Sequence, residues 1–366
     1  MLTGIRVLDF SRYLPGPFAT LRLADWGAEV IKIEPPEGDP IRQPREQDDG
    51  DGYVFRAHNR GKKSVVLNLK DAKDREIALD LMRTADVMVE SFRPGVAKRL
   101  GISYEDALKV NPSIIYCSLT GYGQSGPMHH MGSHEINYMA LSGFLAQLKD
   151  REGRPIHPTH TMADLVVGIA ASEAILAALV QRGKTGLGCH LDIATADVMV
   201  SLMINHIMVH SATGEKNGIA VLNNQVVCYA LYETKDGRYV SLAAMEKKFW
   251  KNFCKAVDRE DWLPHQFTPP SENNPVYQEI RALFKERTFA EWCSFALEVD
   301  CCLTPVLETE EIIDHPYIKA RQLIIEQEGL HYTLTRPKEQ TAIKGALSYP
   351  RLGEHTEEVV SSLQKK

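Results

Sequence analysis

Histidine and carboxylate side chains that could transfer protons or bind a metal ion are concentrated in the middle of the chain. Five histidines lie between His129 and His160, and Glu135 and Asp164 accompany them. Only His129 and His130 are adjacent, which is poor spacing for metal ligation, and no HExxH or comparable ligand set occurs there. The spacing therefore favours a site without a metal ion.

A glycine-rich segment, residues 121–126 (GYGQSG), matches the G-x-G-x-x-G pattern of dinucleotide-binding loops. It follows a predicted strand, as such loops do. However, Pro127 and the histidines after it interrupt the helix that should come next, and the motif follows several strands rather than the first one. The sequence therefore does not favour an NAD or FAD site here.

A set of basic residues in the first hundred positions is a candidate for binding a phosphorylated molecule. Most surface charges are simply solvated. Several of these residues, however, fall at predicted strand ends or loops of an α/β sheet, where ligands usually bind, and guanidinium groups suit phosphates. The set comprises Arg42, Arg45, Arg60, Lys62, Lys63, Lys70, Arg93, Lys98 and Arg99. In a chain of formal net charge −6, this local basic set fits a nucleotide-like ligand.

Asp164, His134 and Glu246 are unremarkable when each is taken by itself. Asp164 precedes a long apolar helix, where its simplest role is an N-cap that accepts backbone N–H groups. His134 reads as a loop histidine, and Glu246 as a first-turn carboxylate favoured by a helix dipole. Local pattern alone does not assign chemistry to them.

The elements that must position these residues alternate between strand and helix in the first half of the chain, which predicts a Rossmann-like open sheet. The predicted strands are residues 5–10, 27–33, 64–69, 87–89, 113–119 and 190–193, and the predicted helices are 17–26, 71–84, 164–181 and one that continues to about 211. The apolar run 165–180 is short for a bilayer span, so we expect a buried helix.

The second half of the chain predicts a smaller α+β unit. Two apolar runs, residues 225–234 and 238–243, flank Lys235-Asp236-Gly237, and Asp-Gly between such runs signals a hairpin. Helical patterns follow. The predicted organisation is a large domain over residues 1–212, a linker over 213–224, a small domain over 225–315 and a return to the large domain over 316–366.

The composition is that of a folded protein and does not indicate a nucleic-acid or membrane partner. The chain has 366 residues, of which 44% are hydrophobic and 25% charged, and its net negative charge disfavours binding to nucleic acid or to an anionic membrane. No secretion signal opens the sequence. Seven cysteines without a CxxC pair indicate reduced thiols rather than zinc or disulfides. We therefore expect a cytoplasmic protein.

Longer motifs resemble those of the family III CoA-transferases (CaiB/BaiF), which include carnitine and bile-acid CoA-transferases and α-methylacyl-CoA racemases. The matching segments are residues 2–10 (LTGIRVLDF), 15–17 (PGP), 23–34 (LADWGAEVIKIE), 38–42 (GDPIR), 59–64 (NRGKKS), 90–95 (ESFRPG), 118–127 (SLTGYGQSGP) and 184–188 (KTGLG). The likeness covers almost the whole chain.

This resemblance implies an interlocked homodimer whose chains each have a Rossmann-like large domain, a small α+β domain and a C-terminal return. It also implies an acyl-CoA substrate and no permanently bound cofactor. The positions that match the family's coenzyme A contacts are Arg42, Leu67, Lys70, Phe92, Arg93 and Arg99.

The resemblance assigns catalysis to Asp164, in the segment 161–165 (TMADL). In the transferase branch this aspartate attacks the thioester and forms an aspartyl-CoA thioester, which then passes CoA to a second acid. In the racemase branch the aspartate and a histidine exchange a proton at the α-carbon of a 2-methylacyl-CoA through an enolate. Both branches remain open on this residue alone.

Two further residues favour the racemase branch. Residues 132–138 (GSHEINY) resemble the racemase segment that carries the histidine, which is His134 here, and residues 245–250 (MEKKFW) resemble the one that carries its supporting glutamate, Glu246. Racemases commonly have aspartate after the histidine, whereas this chain has Glu135. We also expect backbone N–H groups near Asp164 to stabilise the enolate oxygen.

Overall fold

The structure is a computed structural model that describes residues 1–44, 50–150, 152–216, 219, 225–343 and 348–363. Arg45, together with residues 217–218 and 220–224 of the predicted linker, lies outside the described residues. The chain forms two compact units. The first contains Met1–Met203 and the segment that starts at Pro316, and the second contains Ile204–His315.

The first unit is built on a parallel sheet with helices on both faces. Up to the unit boundary its elements are β1 (Arg6–Asp9), α1 (Pro15–Asp25), β2 (Glu29–Glu34), α2 (Tyr53–Asn59), β3 (Lys63–Val66), α3 (Ala72–Arg83), β4 (Val87–Glu90), α4 (Val96–Leu100), α5 (Tyr104–Val110), β5 (Ile115–Thr120), α6 (Glu135–Leu141), α7 (Met162–Thr185), β6 (Cys189–Ala194) and α8 (Thr195–Ser201). The strand order β3-β2-β1-β4-β5-β6 is that of a Rossmann-like sheet, so this prediction is confirmed.

The core lies on the two faces of this sheet because neighbouring strand residues point in opposite directions. Val7 and Val87 pack with residues of α1 and α7 on one face. Leu8 and Met88 pack with residues of α3 on the other. Both faces are therefore covered, as a parallel sheet requires.

Helix α7 is longer than predicted and only one of its faces is buried. It runs over Met162–Thr185, and its length and apolar composition would be enough to cross a membrane. Val167 and Ala171 are buried, and a Cβ at Gly168 would lie 2.9 Å from the carbonyl oxygen of Pro15, so glycine allows α1 to pack closely. The opposite face is exposed, with Val180 63% accessible.

The prediction of one long helix after β6 is wrong, because the helix is interrupted after Ser201. Helix α8 ends there and α9 begins at Ile204 and runs to Thr213. The break coincides with the end of the first unit at Met203. A single apolar pattern across residues 195–211 did not reveal this change of unit.

The second unit contains a three-stranded antiparallel sheet and several helices. After α9, its elements are β7 (Tyr229–Glu233), β8 (Tyr239–Ala243), α10 (Lys247–Ala256), α11 (Pro275–Phe284), α12 (Phe289–Glu298), β9 (Leu303–Pro305) and α13 (Thr309–Asp314). The predicted hairpin is confirmed, since β7 pairs with β8 and Gly237 adopts a φ of 76° in the turn. Trp250, Phe284 and Trp292 fill the core.

The C-terminal segment packs on the first unit. It contains α14 (Pro316–Arg321), β10 (Ile324–Gln327), β11 (Leu330–Thr333) and α15 (Thr356–Leu363). The hydroxyl of Thr335 donates to Asp25 at 2.7 Å, and the hydroxyl of Thr356 accepts the backbone N–H of Val66 at 3.0 Å. These bonds fasten the segment to α1 and β3.

Candidate active site

Asp164 lies in the first turn of α7, at its third residue. The N-cap is Thr161, so the prediction that Asp164 itself is the N-cap is wrong. Ala163 packs with Tyr138 and Met139 of α6 and with Met199 of α8. This small apolar cluster holds the start of α7 against α6 and thereby fixes Asp164.

Glu135 joins α6 to the start of α7 through its side chain. Its carboxylate accepts the backbone N–H of Ala163 at 2.7 Å and that of Asp164 at 2.8 Å. The first N–H groups of a helix have no partner within it, and a carboxylate is well suited to them. We expected backbone N–H groups near Asp164 to stabilise an enolate oxygen, and the N–H groups of Ala163 and Asp164 do not do so here because Glu135 already occupies them.

The pKa of Asp164 is raised to about 7, first by burial of its carboxyl group and second by the negative charge of Glu135. In the part of the chain that the structure describes, no Lys, Arg or His forms an ion pair with Asp164 or Glu135. A pKa in this range would let Asp164 both accept and donate a proton at neutral pH.

His134 is the N-cap residue of α6, directly before Glu135. Its backbone N–H donates to the side chain of Asn137 at 3.0 Å, and the residue is exposed. Because Glu135 contacts the start of α7, the segments that carry His134 and Asp164 meet in space. Arg93 lies beside the same segment, since a Cβ at Gly132 would fall 2.6 Å from its guanidinium group.

Glu246 belongs to the second unit, where it is the exposed N-cap residue of α10. Its backbone carbonyl accepts the N–H groups of Phe249 at 3.0 Å and Trp250 at 3.2 Å. The sequence placed it in the first helical turn, and it precedes that turn by one position. Support of His134 by Glu246 stays a prediction.

A cavity of about 540 Å³ opens at the carboxyl ends of strands β1 to β4. Leu67, Lys70 and Phe92, three of the six predicted coenzyme A contacts, line it together with Val96 and Leu100. Ligands of open parallel sheets usually bind at this edge, near the point where strand order reverses, which here lies between β1 and β4. The cavity thus combines apolar walls with charged side chains of both signs, because Glu34 and Glu37 line it as well.

The predicted basic set divides into paired and unpaired residues. Within the described residues, Lys70, Arg93, Lys98 and Arg99 have no ion pair. Arg42 and Arg60 are paired, and Arg60 forms a bidentate ion pair with Asp25. Lys62 pairs with buried Asp9. Lys63 pairs with Glu29 and Glu358. Only the unpaired residues offer an uncompensated charge to a phosphate.

Arg42 has ion-pair partners within the protein, and its predicted contact with coenzyme A stays a prediction. Its guanidinium group donates to both carboxylate oxygens of Glu34 at 2.7 Å and to Asp51 at 2.8 Å, and it lies over the ring of Phe55. The side chain is buried and is not among the residues that line the cavity. Arg42 therefore stabilises the fold beneath the cavity rather than presenting a free charge to it.

Arg12 is a cavity residue that the sequence analysis missed. It lines the cavity, its guanidinium lies 5.7 Å from the centre of the Phe92 ring, and its backbone N–H donates to Ser91. Its side chain has no ion pair among the described residues. A signal was present, because Arg12 follows the carboxyl end of β1, the first strand of the sheet.

The glycine-rich segment 121–126 forms a loop in which two backbone N–H groups are bonded within the protein. Gly123 donates to the hydroxyl of Thr120 at 2.9 Å, and Gln124 donates to the carboxylate of Asp192. The next helix, α6, begins only at Glu135. A negatively charged partner and a distant helix are the opposite of a pyrophosphate-binding loop.

Comparison with known proteins places the chain among acyl-CoA enzymes. The family model for CoA-transferase family III matches residues 2–356. The chain is 32% identical over 367 residues to the α-methylacyl-CoA racemase of Homo sapiens, which covers 98% of this chain and 92% of the relative. It is also 32% identical over 339 residues to the acetyl-CoA:oxalate CoA-transferase of Acetobacter aceti, which covers 89% of this chain and 86% of that relative.

Solved structures agree with this assignment. A CAIB/BAIF family protein from Brucella suis aligns with a TM-score of 0.83 and 27% identity over 99% of both chains. The Rv3272 protein of Mycobacterium tuberculosis aligns with a TM-score of 0.80 and 28% identity over 97% of this chain and 98% of that one. The chain therefore belongs to CoA-transferase family III, whose members act on CoA thioesters.

Proposed function

We propose that this enzyme is a racemase or epimerase of 2-methylacyl-CoA thioesters that works by 1,1-proton transfer at the α-carbon. The observation that supports this proposal is the raised pKa of Asp164. A proton-transfer group works best when its pKa lies near the working pH, and burial and Glu135 raise the pKa of Asp164 to about 7. A nucleophilic carboxylate would instead be kept fully ionised.

His134 is the second acid–base group in this proposal. A 1,1-proton transfer needs one group on each face of the enolate, and an imidazole titrates in the required range. The segments that carry His134 and Asp164 meet through Glu135. Glu246 is proposed to orient the imidazole by a hydrogen bond, as its likeness to the racemase motif implies.

The cavity at the carboxyl edge of the sheet is proposed to hold the nucleotide part of coenzyme A. Leu67, Phe92 and Leu100 give it apolar walls, which suit a purine ring. Lys70 and Arg12 line it without ion pairs among the described residues, and Arg93 and Arg99 extend the unpaired charge outside it. Unpaired cations suit the phosphates.

The alternative is CoA transfer between an acyl-CoA and a free carboxylic acid, with Asp164 as the nucleophile. The equal identity to an acetyl-CoA:oxalate CoA-transferase supports it. In that reaction the Asp164 carboxylate attacks the thioester carbonyl carbon, the CoA thiolate leaves and a mixed anhydride forms. The thiolate then attacks the Asp164 carbonyl carbon and the original acid leaves as its carboxylate, which gives an aspartyl-CoA thioester. The second acid receives CoA by the same steps in reverse, and the Asp164 carboxylate is restored. His134 has no role in those steps.

A chiral assay separates the two reactions. Purified protein is incubated with one enantiomer of a 2-methylacyl-CoA, with and without an added free acid, and the enantiomeric ratio and the identity of the acyl-CoA are followed. The proposal predicts inversion without added acid and its loss in His134→Ala. Formation of a new acyl-CoA that requires the acid and persists in His134→Ala would reverse the assignment.

We also propose that the enzyme is a homodimer, interlocked as its family resemblance implies. Exposed apolar side chains support a second copy as the partner: Val180 on α7 is 63% exposed, and Ile204 and Met208 on α9 are 71% and 68% exposed. Light scattering should give twice the chain mass of 41.0 kDa. A monomer at micromolar concentration would contradict it.

A cytoplasmic location completes the proposal. All seven cysteines are free, and four of them, Cys117, Cys228, Cys254 and Cys301, are buried. Free buried thiols are typical of a reducing compartment. Fractionation of cells that produce the protein should recover it in the soluble fraction, and recovery with membranes would contradict this.

A further inference from the structure

Asp164 occupies a position where an aspartate normally has a low pKa. It lies in the first turn of a 24-residue helix. The partial positive charge at a helix start and its unpaired N–H groups both stabilise a carboxylate. An aspartate there should remain ionised at neutral pH, and such an aspartate is a poor proton donor.

Glu135 removes both of these stabilising influences. Its two carboxylate contacts, at 2.7 and 2.8 Å, occupy the N–H groups of Ala163 and Asp164 that a first-turn aspartate would otherwise share. Its own negative charge offsets the helix dipole beside Asp164. Glutamine at this position would keep only one acceptor oxygen and no charge.

We propose that Glu135 is a positioning residue that controls the proton affinity of Asp164 by occupying the start of α7 with a second carboxylate. The inference rests on the proposed proton transfer at Asp164. It explains how one side chain both accepts and returns a proton in the same catalytic cycle. Glu135 does this without touching the substrate, through its contacts with α7.

The other groups around Asp164 do not supply this effect. From α6, Tyr138 faces it, and burial raises the pKa of Tyr138, so its hydroxyl stays neutral. From α8, Ala196 and Met199 pack at this point and carry no charge. Helix α1 brings Arg22 to α7 only at Ser172, eight residues further along, where it donates at 3.1 Å. Glu135 is thus the charged neighbour that acts on Asp164.

The test measures titration of Asp164 directly, apart from turnover. Protein labelled with 13C at aspartate carboxyl carbons is titrated by NMR, and Asp164 is assigned as the signal missing from Asp164→Asn. The comparison covers wild type, Glu135→Gln, Glu135→Asp and the control Glu173→Gln. Glu173 is exposed on α7 nine residues away, or about 13 Å along the helix, beyond the range of an unscreened charge.

The inference predicts that Glu135→Gln lowers the Asp164 midpoint by about one pH unit or more, since a neighbouring charge shifts a carboxyl by about that amount. Glu135→Asp keeps the charge and should keep the raised midpoint, and Glu173→Gln should match wild type. The acidic limb of the pH profile for α-proton exchange should move with the midpoint. An Asp164 midpoint in Glu135→Gln equal to that of the wild-type protein would overturn the inference.

Two outcomes keep this test separate from the proposed function. If Glu135→Gln does not fold, the titration of the wild-type protein is the test. A wild-type Asp164 midpoint near the ordinary value for aspartate would then overturn the inference. If Asp164 titrates as predicted in every variant but no α-proton exchange occurs, the inference about Glu135 stands and the racemase proposal fails.

Discussion

The carboxylate of Glu135 accepts the backbone N–H of Asp164 at 2.8 Å, and the two acidic residues are 29 positions apart in the chain. A negative charge this close to Asp164 disfavours the ionised form of the Asp164 carboxyl group. Partial burial of that carboxyl group acts in the same direction. The contact links one departure from the racemase motif, Glu135 in place of aspartate, to the proposed chemistry.

Arg42 and Lys70 should respond differently to substitution by alanine. Arg42→Ala leaves buried Glu34 without its partner, so the free energy of unfolding should fall by about 3 to 5 kcal/mol. Lys70→Ala removes an exposed, unpaired cation and should leave stability unchanged while weakening acyl-CoA binding about tenfold or more. Urea unfolding and calorimetric titration with coenzyme A measure the two effects.

The opposite pattern would support Arg42 as a coenzyme A contact. That pattern is a stable Arg42→Ala protein with weak coenzyme A binding and a Lys70→Ala protein that binds normally. Arg12→Ala adds a matched test, because Arg12 lines the same cavity and, among the described residues, has no ion pair that its loss would break.

Glu90 should make stability fall as pH rises. It is 2% exposed at the end of β4, and burial raises its pKa from 4.5 to about 7. The folded state therefore binds this proton more tightly than the unfolded state. Its contribution is complete below about pH 4.5 and is lost as the pH rises through 7.

Replacement of Glu90 by glutamine removes this titration. Between pH 5 and pH 8 the free energy of unfolding of wild type should fall by about 2 to 3 kcal/mol more than that of Glu90→Gln, measured by urea unfolding. Glu357→Gln, an exposed control on α15, should follow wild type. Parallel pH dependence in wild type and Glu90→Gln would show that Glu90 does not titrate in this range.

Two glycines near the end of α7 should respond with opposite sign. A Cβ at Gly188 would lie 2.0 Å from the carbonyl oxygen of Ile114, where the chain enters β6, so Gly188→Ala should lower stability by about 1 to 3 kcal/mol. Gly183, within α7, has nothing within 4 Å of its Cβ position, so Gly183→Ala should raise stability by about 0.5 to 1 kcal/mol. Thermal unfolding compares them, and equal effects would contradict the packing at Gly188.

The sheet and the hairpin could be predicted from sequence because their signals are local. Alternating strand and helix patterns specify a parallel sheet, and Asp236-Gly237 specifies the tight turn between β7 and β8. The break between α8 and α9 could not be predicted, because apolar residues continue across Leu202 and Met203. The break becomes visible only in the structure, where the chain divides into two units after Met203.

Residue roles at the site were less accessible to sequence reasoning. Arg42 resembles a phosphate ligand by motif, and its ion pair with Glu34 depends on how the segment 35–41 folds back. Glu135 looked like a small departure from the racemase motif. Its contact with α7 joins segments 28 and 29 residues apart, and no local pattern signals such a contact.

The central claim, proton exchange at the α-carbon by Asp164 and His134, is tested most directly by deuterium incorporation. Each enantiomer of a 2-methylacyl-CoA is incubated in heavy water with wild type, Asp164→Asn or His134→Ala, without added acid, and mass spectrometry follows the α-position. The account predicts rapid incorporation of one deuterium from either enantiomer with wild type, and in each variant loss of incorporation from the enantiomer whose α-proton the replaced residue removes. Wild type that leaves the α-hydrogen in place, yet transfers CoA once a free acid is added, would contradict it.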